Sequence, residues 1–384
     1  LPEHGCPPDE AVAEWFSRAE DGIVASPGPR FFGFVNGGTT PAAIAGDWLA
    51  SAIDQNAGLW LASPAAAQTE LAVLDWLKEL FGLPADWSGA LTSGATMANL
   101  VGLAAARQWA GEQLGFDPSR DGLAGYPPIP VISTTEIHAS AKKVLGTLGL
   151  GRGKAVALPA PAAAVDLEEL RRELARHEGP VILVANAGEV NSGAFDPLDR
   201  IADLRDAHSG GAWMHVDGAF GLFAAASPNL RHLTSGIDRA DSIAADGHKW
   251  LNVPYDSGFA FVRDRDALRA AFTVDASYLT PAAGAPWDPY THVPEMSRRF
   301  RGLAAWCAIR AAGREGYRQI VEQGVANASA FAAWVERQPE LELVAPAQLN
   351  IVCFRAAPAG VSQDRLDDLN RAITTAIQRD GRAF

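Results

Sequence analysis

Between residues 130 and 262 short apolar runs alternate with longer amphipathic ones, and few architectures accept that rhythm. The runs at 131–134, 155–158, 181–185, 213–216, 242–245 and 258–262 have the length of buried strands. Helical patterns fill the gaps at 138–148, 166–177 and 196–208. Strands separated by helices read as an α/β layer with a mainly parallel sheet. Such a sheet binds its ligand beyond the carboxyl ends of its strands. Polar residues gather at those ends: His138 after the first run, Asn186, Gly188 and Glu189 after the third, Asp217 after His215-Val216, and Lys249 after the 242–245 run.

The stretch around Lys249 reads DSIAADGHK from Asp241 onward. Ser242 to Ala245 suits a buried strand, Asp246-Gly247 breaks it, and His248-Lys249-Trp250 follows. Burial lowers a lysine pKa, and a neutral amine can form a Schiff base with an aldehyde. Taken alone, the stretch is equally a surface turn whose lysine points to water. A second signal is Gly89-Ala90-Leu91-Thr92-Ser93-Gly94-Ala95-Thr96-Met97-Ala98-Asn99, a turn that runs into an Ala/Leu helix reaching about Gln113. Free N–H groups and hydroxyls at a helix start favour an anion. The turn lacks the Gly-Lys-Ser/Thr of a P-loop and is not a dinucleotide fingerprint. Alone it serves equally as an ordinary helix cap.

The flanks are less informative. A helical pattern around 11–18 precedes Pro27-Gly28-Pro29, then the aromatic segment Arg30-Phe31-Phe32-Gly33-Phe34-Val35, closed by Asn36-Gly37-Gly38. Those phenylalanines suit either ordinary core or a pocket wall. Helices are expected at 41–57 and 65–81, the second with Leu71, Leu74, Leu77, Leu80 and Phe81 on one face and Gly82 and Pro84 to stop it. Beyond a helix at 263–272 lies a long Pro/Ala/Gly-rich loop at 273–294, carrying Tyr278, Trp287, Tyr290 and His292. Loops of that length in a compact domain are usually functional or mobile. Helices at 298–313 and 316–338, a strand pair or one bent strand at 341–354, and a helix at 364–380 complete the chain.

Composition narrows the function. The net charge of −13 argues against nucleic acid or an anionic membrane as partner. Cys6, Cys307 and Cys353 form no disulfide framework and have no metal-ligand spacing, which suits a reducing cytoplasm. No signal peptide and no bilayer-length apolar run is evident.

Together, Thr92-Ser93-Gly94-Ala95-Thr96, His138, His215-Val216-Asp217-Gly218-Ala219 and Asp246-Gly247-His248-Lys249-Trp250 resemble the group II pyridoxal-phosphate-dependent amino acid decarboxylases, the family of aromatic-amino-acid, histidine and glutamate decarboxylases. Phe31-Phe32-Gly33-Phe34, Trp60 with Ser63-Pro64, and Ser297-Arg298-Arg299-Phe300-Arg301 extend the resemblance along nearly the whole chain. It implies an aspartate-aminotransferase-like α/β fold (PLP fold type I): a large domain with a seven-stranded, mostly parallel sheet, a small C-terminal α+β domain, and a homodimer. The divisions expected are an N-terminal segment 1–60, a cofactor domain 61–297 and a small domain 298–384. Because the family continues past a segment like 380–384, that last domain is expected to be incomplete. The resemblance also implies pyridoxal 5'-phosphate, with Lys249 as Schiff-base lysine and Asp217 paired to the pyridinium nitrogen. Ala219 would lie against the ring and His138 would stack on its other face. Ala95 and Thr96 would hold the phosphate, with Ser140, Asp246 and His248 near it.

The implied reaction is loss of CO2 from an L-amino acid, with an aromatic side chain suggested by Phe31, Phe32, Phe34 and Trp60. In the family a loop tyrosine at the dimer interface protonates the product carbon. Tyr290 is the nearest counterpart, one position out of register, followed by Tyr278 and His292. Relatives lacking that tyrosine tend to yield an aldehyde instead of an amine. This chain departs from the family in having Gly188-Glu189-Val190 for Gly-Thr-Thr and Asp246-Gly247 for Asn-Pro. Glu189 would then face the substrate or sit at the site's edge, and Asp246 would repel a phosphate unless turned away. Other readings are a different fold-type-I activity on the same cofactor, such as an aldehyde synthase or a carbon–carbon lyase, and a non-catalytic cofactor-binding homologue.

Overall fold

The computed structural model describes residues 1–274 and 287–383. Its seven-stranded sheet comprises β1 (Ser88–Thr92), β2 (Val131–Thr134), β3 (Val156–Leu158), β4 (Val181–Asn186), β5 (Ala212–Asp217), β6 (Ser242–Asp246) and β7 (Gly258–Val262), ordered β1-β7-β6-β5-β4-β2-β3. Strands β3, β2, β4, β5 and β6 run parallel, and β7 is antiparallel to both β6 and β1. Every residue of β4, β5, β6 and β7 is buried, because helices cover both faces.

Successive side chains of a strand point to opposite faces. On β4, Val181, Leu183 and Ala185 enter one core with Leu74, Leu77, Phe81 and Phe223. Ile182 and Val184 enter the other, with Ala98, Val101 and Leu103 of the helix Ala95–Gln113. That helix is rich in buried alanines, so its backbone lies close to the sheet.

Strand β1 was not legible as a strand. Gly89-Ala90-Leu91-Thr92 looks like part of a turn, since glycine and alanine are poor strand formers. Pairing with β7 overrides that preference, and Gly89 suits the pairing because a Cβ there would lie 2.6 Å from the Ala260 carbonyl.

Past the sheet, the two expected helices form one run, Gly302–Val335, broken at Gly313 (φ 62°, ψ −179°). Ala305, Ala308, Tyr317 and Val321 of this run join the core that holds Leu77. The 341–354 region resolves as the first alternative, an antiparallel pair of Leu341–Leu343 with Phe354–Ala356. The helix Gln363–Asp380 follows and buries only Leu366.

A buried ion pair closes the edge of the sheet nearest the site. Arg298 donates to both oxygens of Glu70 at 2.9 and 3.0 Å and to the carbonyls of Ala57 and Leu91. Glu70 in turn accepts from the Leu91 N–H. The pair thereby joins the helix Pro64–Phe81, strand β1 and the segment entering the C-terminal helices.

Candidate active site

The carboxyl ends of β1, β2, β5 and β6 open on one cavity of about 200 Å³, lined by Ser93 to Met97, His138, Ser140, Ala219, Asp246, His248 and Lys249. Strand register explains the gathering. Asp217 and Asp246 end neighbouring parallel strands, with Asp217 opposite Ala244 and Asp246 opposite Gly258. Adjacent strands lie about 4.8 Å apart.

Asp246 organises the lysine side. Its Oδ1 accepts from the Ala95 N–H at 2.5 Å and lies 3.4 Å from His248 Nε2, and its Oδ2 lies 3.1 Å from Lys249 Nζ. Glycines permit this crowding. Gly94 has φ 153°, and a Cβ on it would come within 3.2 Å of Asp246 Oδ1 and His248 Cε1. Gly37 donates to the His248 carbonyl at 3.1 Å, and a Cβ there would sit 1.9 Å from the Lys249 carbonyl. The Asn36-Gly37-Gly38 turn is therefore a brace under the lysine. Nothing in the sequence pattern marked it as such.

On the opposite side, Asp217 is buried, accepting from the Ala219 N–H at 3.1 Å and from Asn99 Nδ2 at 2.9 Å. His138 caps the helix Ala139–Thr147, and its Nδ1 accepts from the Ser140 N–H at 3.2 Å. Nδ1 is thus unprotonated, which puts the ring proton on Nε2. Ser140 Oγ lies 2.7 Å from the same Nδ1 and donates to it. Burial lowers the His248 pKa, with Asp246 opposing the shift, and its ring stacks on Tyr255 at 4.3 Å.

The residues present fit pyridoxal phosphate. His248 Nδ1 is buried without a hydrogen-bond partner beside the cavity. Thr96 and Met97 stand in the first turn of the helix Ala95–Gln113, where N–H groups lack intrahelical acceptors. An amine and a buried carboxylate complete the set.

A family model, the pyridoxal-dependent decarboxylase conserved domain, matches residues 17–357. The chain belongs to that family. An aromatic-L-amino-acid decarboxylase of Bacillus atrophaeus is 30% identical over 400 residues, covering 100% of this chain and 79% of the relative. A phenylacetaldehyde synthase of Arabidopsis thaliana is 27% identical, covering 100% and 80%. The crystal structure of Oryza sativa TDC with PLP and tryptamine matches with a TM-score of 0.92 at 29% identity, covering 100% of this chain and 81% of that one. The decarboxylase has the expected type I α/β fold, uses pyridoxal phosphate and is a carboxy-lyase acting on an amino acid.

Of the residues singled out from sequence, the cavity brings together Lys249, His138, Ala95, Thr96, Ser140, Ala219, Asp246 and His248. Asp217 reaches the same place through the Ala219 amide. Tyr290 is buried outside the cavity lining, on the short turn Pro289–His292, with its N–H donated to the Gly58 carbonyl. His292 lines a separate cavity with Lys78, Trp87 and Trp287. Tyr278 lies outside the described residues. Glu189 folds back on its own turn, accepting from the N–H groups of Asn191 and Ser192 and from both their side chains. Its carboxylate caps a loop. Phe32 and Phe34 are 78% and 87% exposed, so neither is core nor part of the cavity wall in this chain.

Asn99, His215 and Ser242 were missed as site residues. His215 lies in the His215-Val216-Asp217-Gly218-Ala219 run without a role read from it, and Asn99 ends the turn that runs into the Ala/Leu helix.

Proposed function

We propose that the enzyme decarboxylates an aromatic L-amino acid to its amine, with Lys249, Asp217 and His138 as the working groups. The observation that carries this reading is the convergence of the Lys249 amine and the His138 ring on one cavity at the carboxyl ends of the sheet, with the Asp217 carboxylate bonded to the Ala219 amide that lines it. Bound there, pyridoxal phosphate supplies an aldehyde for the amine and a protonated ring that takes up the electron pair released with CO2. Lys249 is the amine that would hold that aldehyde. Asp246, 3.1 Å from Lys249 Nζ, receives and returns the lysine's proton. Asp217, bonded to the Ala219 amide, would pair with the ring nitrogen, and Ala219 would lie against the ring. Thr96 and the first turn hold the phosphate, with Ser140 and His248 beside it. The Ala95 amide is already bonded to Asp246, so Ala95 contributes surface more than a donor.

His138, with its ring proton on Nε2, covers the other ring face and holds a proton near the reacting carbon. Tyr290 is a second proton donor for that carbon, one that would act across a subunit interface, since it stands off the cavity of its own chain. The aromatic preference is supported by relatives that include a tryptophan decarboxylase of Oryza sativa, 30% identical over 409 residues.

A homodimer is part of the same proposal. The helix Pro8–Ala19 buries none of its residues and leaves Val12, Trp15 and Phe16 exposed, while Trp48 and Leu49 add to the apolar surface. Patches of that kind mark protein interfaces. We also retain the division into 1–60, 61–297 and 298–384 and a cytoplasmic location, which three unpaired cysteines support. Incubation with an amino-acid panel, with assay for CO2, amine, aldehyde and peroxide, tests the reading. Amine and CO2 in equal amounts from an aromatic substrate support it; aldehyde with peroxide refutes the amine product.

A further inference from the structure

Behind Asp217 lies a buried chain of hydrogen bonds that the reaction scheme above leaves unused. Trp213 Nε1 donates to Ser242 Oγ at 2.8 Å, and Ser242 Oγ lies 2.8 Å from His215 Nδ1. His215 Nε2 lies 2.8 Å from Asn99 Oδ1. Asn99 Nδ2 donates to Asp217 Oδ2 at 2.9 Å and to Ser140 Oγ at 3.4 Å, and Ser140 Oγ meets His138 Nδ1 at 2.7 Å. Asn99, His215 and Ser242 are wholly buried.

With His215 neutral, one set of proton positions satisfies every link. A carboxylate accepts, so the Asn99 amide must turn its NH2 to Asp217 and its oxygen to His215. That oxygen needs a donor, so His215 carries its proton on Nε2. Nδ1 then accepts from the Ser242 hydroxyl, whose oxygen accepts from the Trp213 indole. At the far end, Ser140 accepts from Asn99 and donates to His138. Burial, which lowers the His215 pKa to about 4 against the pull of Asp217, keeps the ring neutral and its single proton in place. Space for the imidazole is made by Gly102, where a Cβ would lie 2.7 Å from His215 Nδ1 and 3.0 Å from Ser242 Oγ.

We propose that Asn99 is a positioning residue that sets Asp217 and His138 together, its amide locked one way round by His215, Ser242 and Trp213. One donated N–H holds the Asp217 carboxylate where it would meet the cofactor's ring nitrogen. The other, through Ser140, fixes the orientation and tautomer of His138. The inference rests on the reading of Asp217 as the partner of that nitrogen.

The test is a double-mutant cycle on pyridoxal phosphate affinity, combined with the ring-nitrogen NMR shift of isotope-labelled cofactor in the holoenzyme. Asn99→Ala removes a hydrogen bond to a charged group, and its dissociation constant should rise at least about tenfold, with the ring nitrogen moving toward its unprotonated shift. In an Asp217→Ala background the Asn99→Ala effect should shrink to the part carried through Ser140 and His138. A purely structural Asn99 would weaken binding equally in both backgrounds and leave the nitrogen shift alone; that result overturns the proposal. Asp217→Ala with wild-type affinity and shift would instead overturn the underlying reading of Asp217. Should Asn99→Ala fail to fold, His215→Phe leaves the Asn99–Asp217 contact in place but strips the amide oxygen of its buried donor, loosening the amide's hold. It should move the nitrogen shift in the same direction, and an unmoved shift counts against the proposal.

Discussion

Arg298→Met should destabilise the protein more than any other single change at the site's periphery. The guanidinium is fully buried and makes four hydrogen bonds, two to Glu70 and two to carbonyls. Methionine roughly keeps the volume, so the cavity contribution is small. What remains is a buried Glu70 carboxylate without its cation. Breaking one side of a buried pair costs roughly 3–5 kcal/mol, a large part of a typical stability of about 5–15 kcal/mol. Removing the stranded charge as well, in Glu70→Leu/Arg298→Met, should recover part of the loss. Recovery is incomplete, because the Ala57 and Leu91 carbonyls and the Leu91 N–H still lose partners at roughly 1 kcal/mol each.

Urea unfolding of the holoenzyme, followed by tryptophan fluorescence and by the visible band of bound cofactor, measures both variants. Leu91 precedes Thr92-Ser93-Gly94 by one residue, so the cofactor band should fade at lower urea than the fluorescence changes in Arg298→Met. An Arg298→Met midpoint within about 1 kcal/mol of wild type would refute the argument. So would a double variant whose loss equals the sum of the two single losses.

Three further outcomes follow from the geometry. Gly37→Ala places a methyl group 1.9 Å from the Lys249 carbonyl, so the lysine turn must move; kcat/KM should fall about 100-fold, and an unchanged kcat/KM would show that the brace is slack. Lys249→Ala should abolish the visible absorption of added pyridoxal phosphate, and a surviving band would remove Lys249 from its proposed role. Tyr290→Phe should shift products from amine toward aldehyde, and an unchanged product ratio in chromatographic analysis counts against its part in protonation.

The parallel layer was legible because buried strands leave an apolar signature that needs no knowledge of their partners, as at 181–185 and 242–245. The cavity's polar rim was legible for a related reason: His138, Asp217 and Lys249 each follow such a run within a few residues. What escaped depends on contacts between distant residues. Strand β1 is specified by β7, some 170 residues away, and Asn99 meets His215 across 116 residues. Glu189 stayed open between two places because a carboxylate at a strand end looks the same whether it faces a ligand or caps its own turn. Phe32 and Phe34 misled because aromatic composition speaks for burial somewhere, and within one chain these two find none.

Acid sensitivity carries the argument about His215 one step further. Burial holds its imidazole neutral down to about pH 4, against an ordinary value of 6.5. As pH falls below about 6.5, the unfolded chain gains a proton that the folded chain refuses. The stability contributed by the neutral ring is therefore fully present above that pH and is lost progressively toward pH 4, by roughly 3 kcal/mol in all. Asp196 works in the opposite sense over a similar range, since burial raises its carboxyl to about 6. Comparing wild type with His215→Gln cancels that contribution and isolates the imidazole. Wild type should lose stability faster than His215→Gln between about pH 6.5 and 4. Parallel curves in urea unfolding would mean that His215 takes up a proton in the folded state, in which case its Nδ1 donates, the Ser242 link reverses, and Ser242 and Trp213 drop out of the orientation of the Asn99 amide, leaving only Nε2 and Asp217 to set it.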